Sequence, residues 1–307
     1  MFIILNLKLD NLKALIFGSN GYIGRHLSLF FKKNNVDFSC CDIDEKSTDN
    51  HPNYKRVDIR KKTQIKKLDL NADFIFVFSG LTGTKISFSK YPDFIDINEK
   101  GLLNILECIK DKKNPARVIF PSSRLVYKGS SIPLTEPAEL EAKTIYASNK
   151  IACENYLKLY SEYYNIPYTV FRINVPYGNL LSENYSYGTI GFFISQALQN
   201  KEISIYGDGL QRRTFTHIGD IVSLIIETLK YETSKNEIYN IGGEEYSIRD
   251  IANLIAEKHH VSVKQKKWPE FDLKSESGST VFNSSKIETL TSFKYKYKIK
   301  DCINKTL

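Results

Sequence analysis

Cysteine is scarce in the chain and follows no pattern. The five cysteines among 307 residues are an odd number, and no spacing between them matches a zinc knuckle or a disulfide framework. They are Cys40, Cys41, Cys108, Cys153 and Cys302. We therefore expect neither a structural disulfide nor a metal site, and we expect a reducing, cytoplasmic setting.

No long apolar run marks the start of the chain. Residues 1–5 are apolar, but Lys8 and Asp10 follow within a few positions. A signal peptide needs an apolar core of about 7–15 residues and a membrane helix needs about 20. The sequence therefore predicts a soluble protein with no membrane partner. Disorder is also excluded, because 42% of the residues are apolar and 12% are aromatic.

Clustered charge is the third missing feature. The net charge is +8, from 43 basic and 35 acidic residues. Nucleic-acid binding would require this excess to lie on one face or in one run, whereas the lysine pairs are spread along the polar edges of apolar segments. The sequence thus predicts no nucleic-acid partner, and the charge balance is compatible with a basic pocket for a small anion.

Alternating strand and helix patterns fill the first half of the chain. Nearly continuous apolar runs predict parallel strands at residues 12–17, 38–41, 73–79, 117–121 and 168–173. Apolar residues at spacings of three and four predict helices at residues 22–33, 92–110, 143–164, 218–229 and 248–257. The predicted fold class is α/β, with a doubly wound parallel sheet up to about residue 175 and a more irregular region beyond it.

A glycine-rich turn follows the first predicted strand directly. Gly18 suits the tight turn, Gly21 lets backbone amides approach a pyrophosphate, and Gly24 allows close packing of helix on strand. The N-terminus of the next helix offers free N–H groups and a partial positive charge to phosphates. Three neighbours complete the predicted cofactor contacts of this turn: Asn20, Tyr22 and Ile23. A plain glycine turn without a ligand is the alternative.

Acidic residues near the ends of the second and third predicted strands suit the other end of a dinucleotide. Asp42 ends the second strand 24 residues after Gly18, where a carboxylate can accept hydrogen bonds from the adenosine ribose. Because its charge would repel a 2′-phosphate, the predicted cofactor is NAD rather than NADP. Asp44, beyond the apolar run, is the second candidate. Asp58, with Ile59 beside it, can accept from the adenine amino group or can simply cap a turn.

Tyr146 and Lys150 stand four residues apart on a predicted helix, which places the phenol and the ammonium on one face. The ammonium, together with a nicotinamide cation, favours the phenolate, so Tyr146 can act as a base near neutral pH. Such a pair can arise by chance in a chain with 19 tyrosines, but a strand that delivers Ser122 and Ser123 precedes it. Open α/β sheets bind ligands at the carboxyl ends of their strands. Ser123 is therefore predicted to hydrogen-bond the substrate oxygen that Tyr146 deprotonates.

Together these motifs resemble the extended short-chain dehydrogenase/reductases, specifically the NAD-dependent epimerase/dehydratase family that acts on nucleotide sugars. The glycine turn, the Ser-x-x-Val-Tyr segment at residues 123–127 and the Tyr146/Lys150 pair match motifs of that family. Further landmarks follow in the family's order at residues 98–101, 172–178, 207–220 and 239–242. The resemblance covers nearly the whole chain. It implies an α/β fold class, a Rossmann-type doubly wound parallel sheet with a smaller, mixed C-terminal substrate-binding lobe. We place the NAD-binding Rossmann domain at residues 1–175, with a segment near 213–242 returning to it, and the substrate-binding lobe at residues 176–307.

The resemblance implies roles for residues that spacing alone does not single out. Asn174 and Arg213 match positions that hold the diphosphate of a nucleotide sugar, and Tyr206 and Arg124 are further expected substrate contacts. The family's 4,6-dehydratases carry an acidic pair where this chain has Arg124 and Leu125. Dehydration is therefore disfavoured.

The leading functional hypothesis is an NAD-dependent nucleotide-sugar epimerase that oxidises a sugar hydroxyl, at C4, and returns the hydride to the ketone. Tyr146 would remove the hydroxyl proton, Lys150 would lower the phenol pKa and bind the nicotinamide ribose, and Ser123 would hold the reacting oxygen. A nucleotide-sugar 4-ketoreductase or dehydrogenase with the same site is the alternative, and a non-catalytic dinucleotide-sensing protein is a minor one.

Two predicted helices, at residues 92–110 and 143–164, carry more apolar positions than one buried face requires. The residues concerned are Ile95, Leu102, Leu103, Leu106, Ile109, Tyr156, Leu157, Tyr160 and Tyr164. In the resembling family the equivalent helices pair across a two-fold axis, so we expect a homodimer. A monomer whose C-terminal lobe covers this surface is the alternative. Replacing Leu157 by Asp is expected to weaken both assembly and activity.

Overall fold

A parallel sheet forms the centre of the chain. The computed structural model describes residues 12–181 and 187–305, and the apolar run at residues 1–5 lies outside them. The strands are β1 (Lys13–Phe17), β2 (Asp37–Asp42), β3 (Tyr54–Arg56), β4 (Phe74–Val77), β5 (Arg117–Ser123), β6 (Tyr168–Ile173), β7 (Val175–Tyr177), β8 (Ile203–Tyr206), β9 (Arg212–His217), β10 (Glu237–Asn240), β11 (Glu244–Ser247) and β12 (Val263–Lys266). Seven of them form one sheet in the order β10-β6-β5-β4-β1-β2-β3, and all neighbours are parallel.

Helices cover both faces of this sheet. The α-helices are α1 (Tyr22–Lys33), α2 (Lys62–Ile65), α3 (Thr84–Ser89), α4 (Tyr91–Phe94), α5 (Gly101–Ile109), α6 (Ile145–Tyr164), α7 (Gly188–Leu198), α8 (Ile218–Leu229), α9 (Ile248–His259), α10 (Glu270–Ser275), α11 (Ser285–Thr291) and α12 (Ile299–Lys305). Ile16 of β1 packs in a core with α1 and α8, whereas Phe17 packs in a second core with α5 and α6. Successive strand residues thus serve opposite faces, and the predicted doubly wound α/β fold is confirmed. Among the described residues, no helix is both long and apolar enough to cross a membrane.

A smaller lobe is built from the remaining strands. The sheet β11-β9-β7 is mixed, because β9 is antiparallel to β11 and parallel to β7, and β8 pairs in parallel with β12. Ile203, Phe215 and Ile255 are among the buried residues of a third core in this lobe. The chain then returns to the large sheet, since β10 pairs with β6. The domain bounds at residues 1–175 and 176–307 stay a prediction.

The helix predicted over residues 92–110 is interrupted by a wide turn. After α4, the backbone forms a π-helix over Ile95–Lys100 before α5 begins. Asn98 lies in this turn; its Oδ1 accepts from the Leu81 amide at 2.7 Å and its Nδ2 donates to the Leu81 carbonyl at 3.1 Å. The wide turn therefore anchors the loop that follows β4. π-Turns of this kind are frequent at functional sites.

A buried ion pair joins α6 to the central sheet. The Arg172 guanidinium on β6 donates to both carboxylate oxygens of Glu154, at 3.0 and 2.6 Å, and the two side chains are 4% and 6% exposed. Ser122 donates to the same carboxylate, and Arg172 also donates to the Tyr127 hydroxyl at 2.7 Å. Tyr127 in turn donates to Asn240 on β10 at 2.8 Å. This network fixes α6 against three neighbouring strands.

The apolar surplus expected on two helices is smaller than the sequence suggests. Leu102, Leu106, Ile109 and Leu157 are at most 1% exposed and belong to the chain's own core. The expectation that Leu157 belongs to surplus apolar surface is therefore wrong, and a carboxylate in the Leu157→Asp variant would disrupt the core itself. Exposed apolar residues of the same region are Tyr91, Ile95, Leu159, Tyr163 and Tyr164.

We expect Glu154→Gln to destabilise the fold. The change leaves the Arg172 guanidinium buried without a carboxylate, and removing one partner of a buried pair costs about 3–5 kcal/mol. Chemical denaturation measures the free energy of unfolding. The matched control is Glu139→Gln, which breaks an exposed pair with Lys128 and should change little. Equal effects of the two substitutions would show that the buried pair does not hold the helix.

Candidate active site

The glycine turn after β1 brings three backbone segments close together. Gly18 has φ of +86°, and a Cβ there would lie 2.3 Å from the Ser79 amide nitrogen. A Cβ on Gly24 would lie 2.1 Å from the Gly18 carbonyl oxygen, so α1 packs directly on the turn. Gly21 precedes α1 and lines the adjoining cleft, and its amide donates to the Gly18 carbonyl at 3.2 Å. Side chains are excluded at the tightest positions, which leaves the backbone open to a ligand.

A cleft of about 290 Å³ lies beside this turn, at the carboxyl ends of β1, β2 and β4. The predicted cofactor residues that line it are Gly18, Asn20, Gly21, Asp42, Asp58 and Ile59. Asp44, the second candidate for the ribose, lines it as well. Residues from three strand ends thus meet in one cleft, the position at which open parallel sheets bind ligands.

Asp42 is fixed to the glycine turn by its carboxylate. One oxygen accepts from the Asn20 amide at 2.9 Å and the other from the Ile43 amide at 2.7 Å. Burial raises the pKa of Asp42, and these two hydrogen bonds oppose the rise. Asp44 is held differently, since it accepts from the Asn20 side chain at 2.9 Å. Of the two carboxylates, Asp42 is therefore the one tied to the backbone of the turn.

Asp58 has a local partner as well as a place in the cleft. Its carboxylate accepts from Nε and Nη2 of Arg60 at 2.9 Å each and from the Arg60 amide at 3.1 Å, and Arg60 lowers the pKa of Asp58. These contacts agree with the turn-capping alternative. Ile59 packs closely on α5, because a Cβ on Gly101 would lie 2.4 Å from its Cδ1.

Tyr22 and Ile23 are directed away from the lining of this cleft. The Tyr22 hydroxyl donates to the Gly178 carbonyl at 2.6 Å, and its ring stacks on Tyr187 with centroids 4.3 Å apart. Ile23 packs against the core beneath α1. Tyr22 therefore joins the first helix to the segment that enters the smaller lobe.

The residues of the cleft fit NAD. The glycine turn leaves room for backbone amides to approach a pyrophosphate, and Asp42 offers a carboxylate for ribose hydroxyls at the end of β2. No cluster of His, Cys, Asp or Glu side chains that could hold a metal ion occurs within residues 12–181 and 187–305.

Ser123 is the last residue of β5 and is itself buried. Its Oγ accepts from the Leu125 amide at 3.2 Å and caps a short 3₁₀ turn over Arg124–Val126. The side chain is 8% exposed. The Ser123 hydroxyl also lowers the pKa of the Tyr146 phenol, against the effect of burial. The end of the strand thus presents a serine hydroxyl to the start of α6.

Tyr146 and Lys150 occupy the first two turns of α6, and both are under 10% exposed. The Lys150 ammonium donates to the Pro121 carbonyl at 2.6 Å and lies 4.3 Å from the centroid of the Phe120 ring. It lies 5.7 Å from the centroid of the Tyr146 ring. The structure therefore brings Ser123, Tyr146 and Lys150 together at the carboxyl end of β5.

Burial dominates the electrostatics of this group. It raises the pKa of Tyr146 well above its usual value, while the hydrogen bond from Ser123 and the charge of Arg124 oppose the rise. Burial also lowers the pKa of Lys150 to about 8. The Lys150 ammonium donates to the Pro121 carbonyl, and its expected effect on the phenol pKa, together with a nicotinamide cation, stays a prediction.

Three predicted substrate residues converge on Thr280, which is fully buried. The Asn174 amide donates to the Thr280 carbonyl, and Arg213 forms a β-bridge with Thr280. Nη1 of Arg124 donates to the Thr280 hydroxyl at 3.4 Å. Asn174 also holds its side-chain oxygen buried with no protein partner among the described residues. Residues from the 3₁₀ turn after β5, from β9 and from the position before β7 thus meet at Thr280, and we call this group the polar wall.

Arg213 is held by a carboxylate within this wall. Its guanidinium donates to Glu276 and to the Gly278 carbonyl, and its side chain is 2% exposed. Burial lowers the pKa of Arg213, and the Glu276 carboxylate opposes that effect. The Glu276 carboxylate therefore already pairs with the guanidinium that is predicted to bind a diphosphate.

Tyr206 lies in the smaller lobe at the end of β8. Its side chain is 42% exposed, and its ring centroid is 5.2 Å from that of Trp268. A Cβ on Gly207 would lie 2.6 Å from Nε1 of Trp268, so the indole rests directly on the backbone after the strand. The two rings form an exposed aromatic pair.

Sequence reasoning missed four residues that shape the site: Glu154, Tyr187, Glu276 and Thr280. Glu154 carried a findable signal, because it follows Lys150 by four residues and so lies on the same helix face. Glu276 and Thr280 carried none, since they reach the site from a segment more than 60 residues beyond Arg213. Tyr187 acts through its stacking on Tyr22 and its effect on the Tyr146 pKa.

Comparison with known proteins agrees with this geometry. A putative UDP-glucose 4-epimerase of Methanocaldococcus jannaschii is 30% identical over 255 residues, which are 80% of this chain and 82% of the relative. A UDP-N-acetyl-alpha-D-glucosaminuronate decarboxylase of Bacillus cytotoxicus is 31% identical over 268 residues, with 82% of each chain covered. The fold is similar to that of UDP-glucose 4-epimerase from Thermus thermophilus in complex with NAD. That comparison has a TM-score of 0.83 at 21% identity, over 95% of this chain and 96% of the other.

A family profile covers most of the chain. Residues 14–242, from the first strand to the end of the Tyr-Asn-Ile-Gly landmark, match the NAD dependent epimerase/dehydratase family. This range contains the glycine turn, Ser123, Tyr146 and Lys150. The chain therefore belongs to the NAD-dependent epimerase/dehydratase family and is an enzyme whose cofactor is NAD.

Proposed function

We propose that the chain is an NAD-dependent nucleotide-sugar 4-epimerase. One observation carries the proposal: Arg124, the residue after Ser123, contacts Thr280, and Thr280 pairs with Arg213, so groups suited to the two ends of a glycosyl diphosphate adjoin each other. Ser123, Tyr146 and Lys150 can take a proton from a sugar hydroxyl. Arg213, beside Thr280, can hold a diphosphate through charge-assisted hydrogen bonds. The named relatives, a UDP-glucose 4-epimerase and a decarboxylase of a UDP-sugar, support this substrate class.

The residues divide the chemistry as follows. NAD, when bound, accepts a hydride from the sugar carbon and returns it. Tyr146 takes the proton of the C4 hydroxyl, and Ser123 holds the same oxygen through its hydroxyl. Lys150 binds the nicotinamide ribose and supplies positive charge beside the phenol. Because burial raises the pKa of Tyr146, its deprotonation depends on these positive groups.

Inversion at C4 requires the ketone to present its other face while the rest of the substrate stays bound. The anchor must therefore act on the diphosphate rather than on the sugar. Arg213 and Asn174 form this anchor, and the diphosphate replaces the Glu276 carboxylate on Arg213. Tyr206, with Trp268 beside it, offers an exposed aromatic surface for the nucleotide base.

Dehydration is disfavoured by the two residues after Ser123. Arg124 cannot deliver a proton at neutral pH in the way a carboxylic acid does, and Leu125 has no ionisable group. The site therefore lacks the acid–base pair that elimination of water from a sugar would require.

A substrate panel tests the proposal directly. The purified protein is offered UDP-, dTDP-, GDP- and CDP-sugars and their 4-keto forms, with and without added NAD(H), and the products are identified by NMR. An epimerase inverts C4 without consuming added cofactor, because it recycles the NAD that it holds. Stoichiometric consumption of NADH or NAD would instead identify the 4-ketoreductase or dehydrogenase. Absence of turnover with every sugar would refute the proposal.

Tyr146→Phe removes the base and keeps the ring packing. Tyr146 lies edge-on to Phe94, with centroids 6.4 Å apart, and phenylalanine preserves this contact. Turnover should fall on the order of 10²-fold or more, the usual scale for a positioned acid–base group, with an almost unchanged melting temperature. Tyr163→Phe on the same helix, 72% exposed, is the matched control. Wild-type turnover in the Tyr146 variant would reject it as the base.

Asp42→Ser tests the choice of cofactor. Loss of the carboxylate should raise the Kd for NAD on the order of 10-fold or more, as expected for hydrogen bonds to a charged group, and should reduce discrimination against NADP. Fluorescence titration with both cofactors measures this. Asp44→Ser is the control and should leave the preference unchanged. A larger effect at Asp44 than at Asp42 would transfer the ribose contact to Asp44.

We further propose a homodimer formed through the exposed apolar residues near α4 and α6. Leu159 and Tyr163 on α6 are 48% and 72% exposed, and Tyr91 on α4 is 53% exposed. Light scattering should give a mass twice that of the 35.3 kDa chain. The double variant Leu159→Glu, Tyr163→Glu should give the mass of a single chain. A wild-type monomer at micromolar concentration would contradict the proposal.

A further inference from the structure

One guanidinium of the polar wall has no anionic partner. Among the described residues, Arg124 makes a single hydrogen bond, the 3.4 Å contact from Nη1 to the Thr280 hydroxyl, and no ion pair. Arg213 is different, because it donates to the Glu276 carboxylate as well as to the Gly278 and Arg212 carbonyls. Two guanidinium groups therefore share one wall that contains one carboxylate. The wall keeps an excess positive charge.

This excess charge is energetically unfavourable, because the Arg124 guanidinium is largely removed from water. Arg124 is only partly exposed. Burial and the repulsion of Arg213 lower the pKa of Arg124 to about 9, and Glu276 offsets this only in part. Buried charges in proteins are normally paired or coordinated. Since no carboxylate among the described residues forms a hydrogen bond with Arg124, an anionic ligand would offset this cost.

The position of Arg124 tells which part of a ligand it reaches. It follows Ser123 directly, and its charge acts on both Tyr146 and Arg213. A bound glycosyl diphosphate would have its reacting hydroxyl at Tyr146 and its phosphates at Arg213. Because C4 and C1 lie across the ring from each other, a side chain between these two residues runs along an edge of the ring. It therefore faces a substituent of the sugar.

We propose that Arg124 binds a carboxylate carried by the sugar ring, so that the preferred substrate is a nucleotide-linked uronic acid rather than a neutral hexose. The planar guanidinium matches a carboxylate through two parallel N–H···O bonds. This inference deepens the proposed function and rests on it. It makes Arg124 the residue that determines specificity.

The test compares matched sugars that differ only in this group. Calorimetry on the NAD-loaded protein measures the Kd of UDP-glucuronate and UDP-glucose, and of UDP-galacturonate and UDP-galactose. The uronates should bind more tightly than the neutral sugars. Arg124→Gln should raise the Kd of the uronates on the order of 10- to 100-fold. It should leave the Kd of the neutral sugars unchanged. Arg124→Lys keeps the charge but loses the two parallel donors. Its Kd for the uronates should therefore lie between those of the wild type and of Arg124→Gln.

Arg212→Gln is the matched control. It removes the same charge from a neighbouring position of the wall's strand, but Arg212 is exposed and pairs with Glu245. The preference for uronates should persist in this variant. Equal affinity of the wild type for both members of each pair, including no measurable binding of either, would overturn the inference. Equal losses for acidic and neutral sugars in Arg124→Gln would also overturn it and would assign the residue to the diphosphate.

Binding and turnover together separate this inference from the proposed function. If uronates bind selectively through Arg124 but no nucleotide sugar is epimerised, the epimerase proposal fails and the assignment of Arg124 stands. If neutral sugars are epimerised and preferred, the epimerase proposal stands and the assignment of Arg124 fails.

Discussion

Two charges buried together, Arg172 on β6 and Glu154 on α6, hold α6, the helix of the proposed base Tyr146, against the sheet. The register of the sheet places Arg172 opposite Ser122, so the same carboxylate receives hydrogen bonds from β5 and β6. Glu154 lies one helical turn beyond Lys150 and two beyond Tyr146. The pair therefore sets how far the phenol and the ammonium stand from Ser123. A displacement of about 1 Å there would be felt in catalysis, because acid–base groups work within hydrogen-bonding distance.

Desolvation is the second constraint, and it links the two ends of the site. Burial raises the pKa of Tyr146 and lowers those of Lys150, Arg124 and Arg213, so each group is pushed toward its neutral form. An anionic substrate would stabilise the charged forms of the three basic side chains. Added positive charge would stabilise the phenolate form of Tyr146. The electrostatics of these side chains thus favour the binding of a diphosphate and a dinucleotide. The Glu276 carboxylate partly balances the charge of Arg213, and the proposed diphosphate would replace it there.

Local signals predicted the parts of the fold that depend on neighbours in sequence. The strand at residues 168–173 and the helix at residues 218–229 begin and end where the structure has them, because their apolar patterns are unbroken. The glycine turn could also be predicted, because its three glycines are close in sequence and directly follow the first strand. The π-turn at Asn98 was not, since it depends on the distant Leu81 backbone. The pairing of Arg213 with Glu276 and the burial of Leu157 likewise depend on segments far apart in the chain.

The central claim is that a hydride leaves C4 of the sugar and returns to the same carbon within one binding event. A nucleotide sugar labelled with deuterium at C4 tests it most directly, with NMR of the product formed in ordinary water. The account predicts that the inverted sugar keeps its deuterium at C4. Loss of the label to water, or inversion at a different carbon, would contradict it.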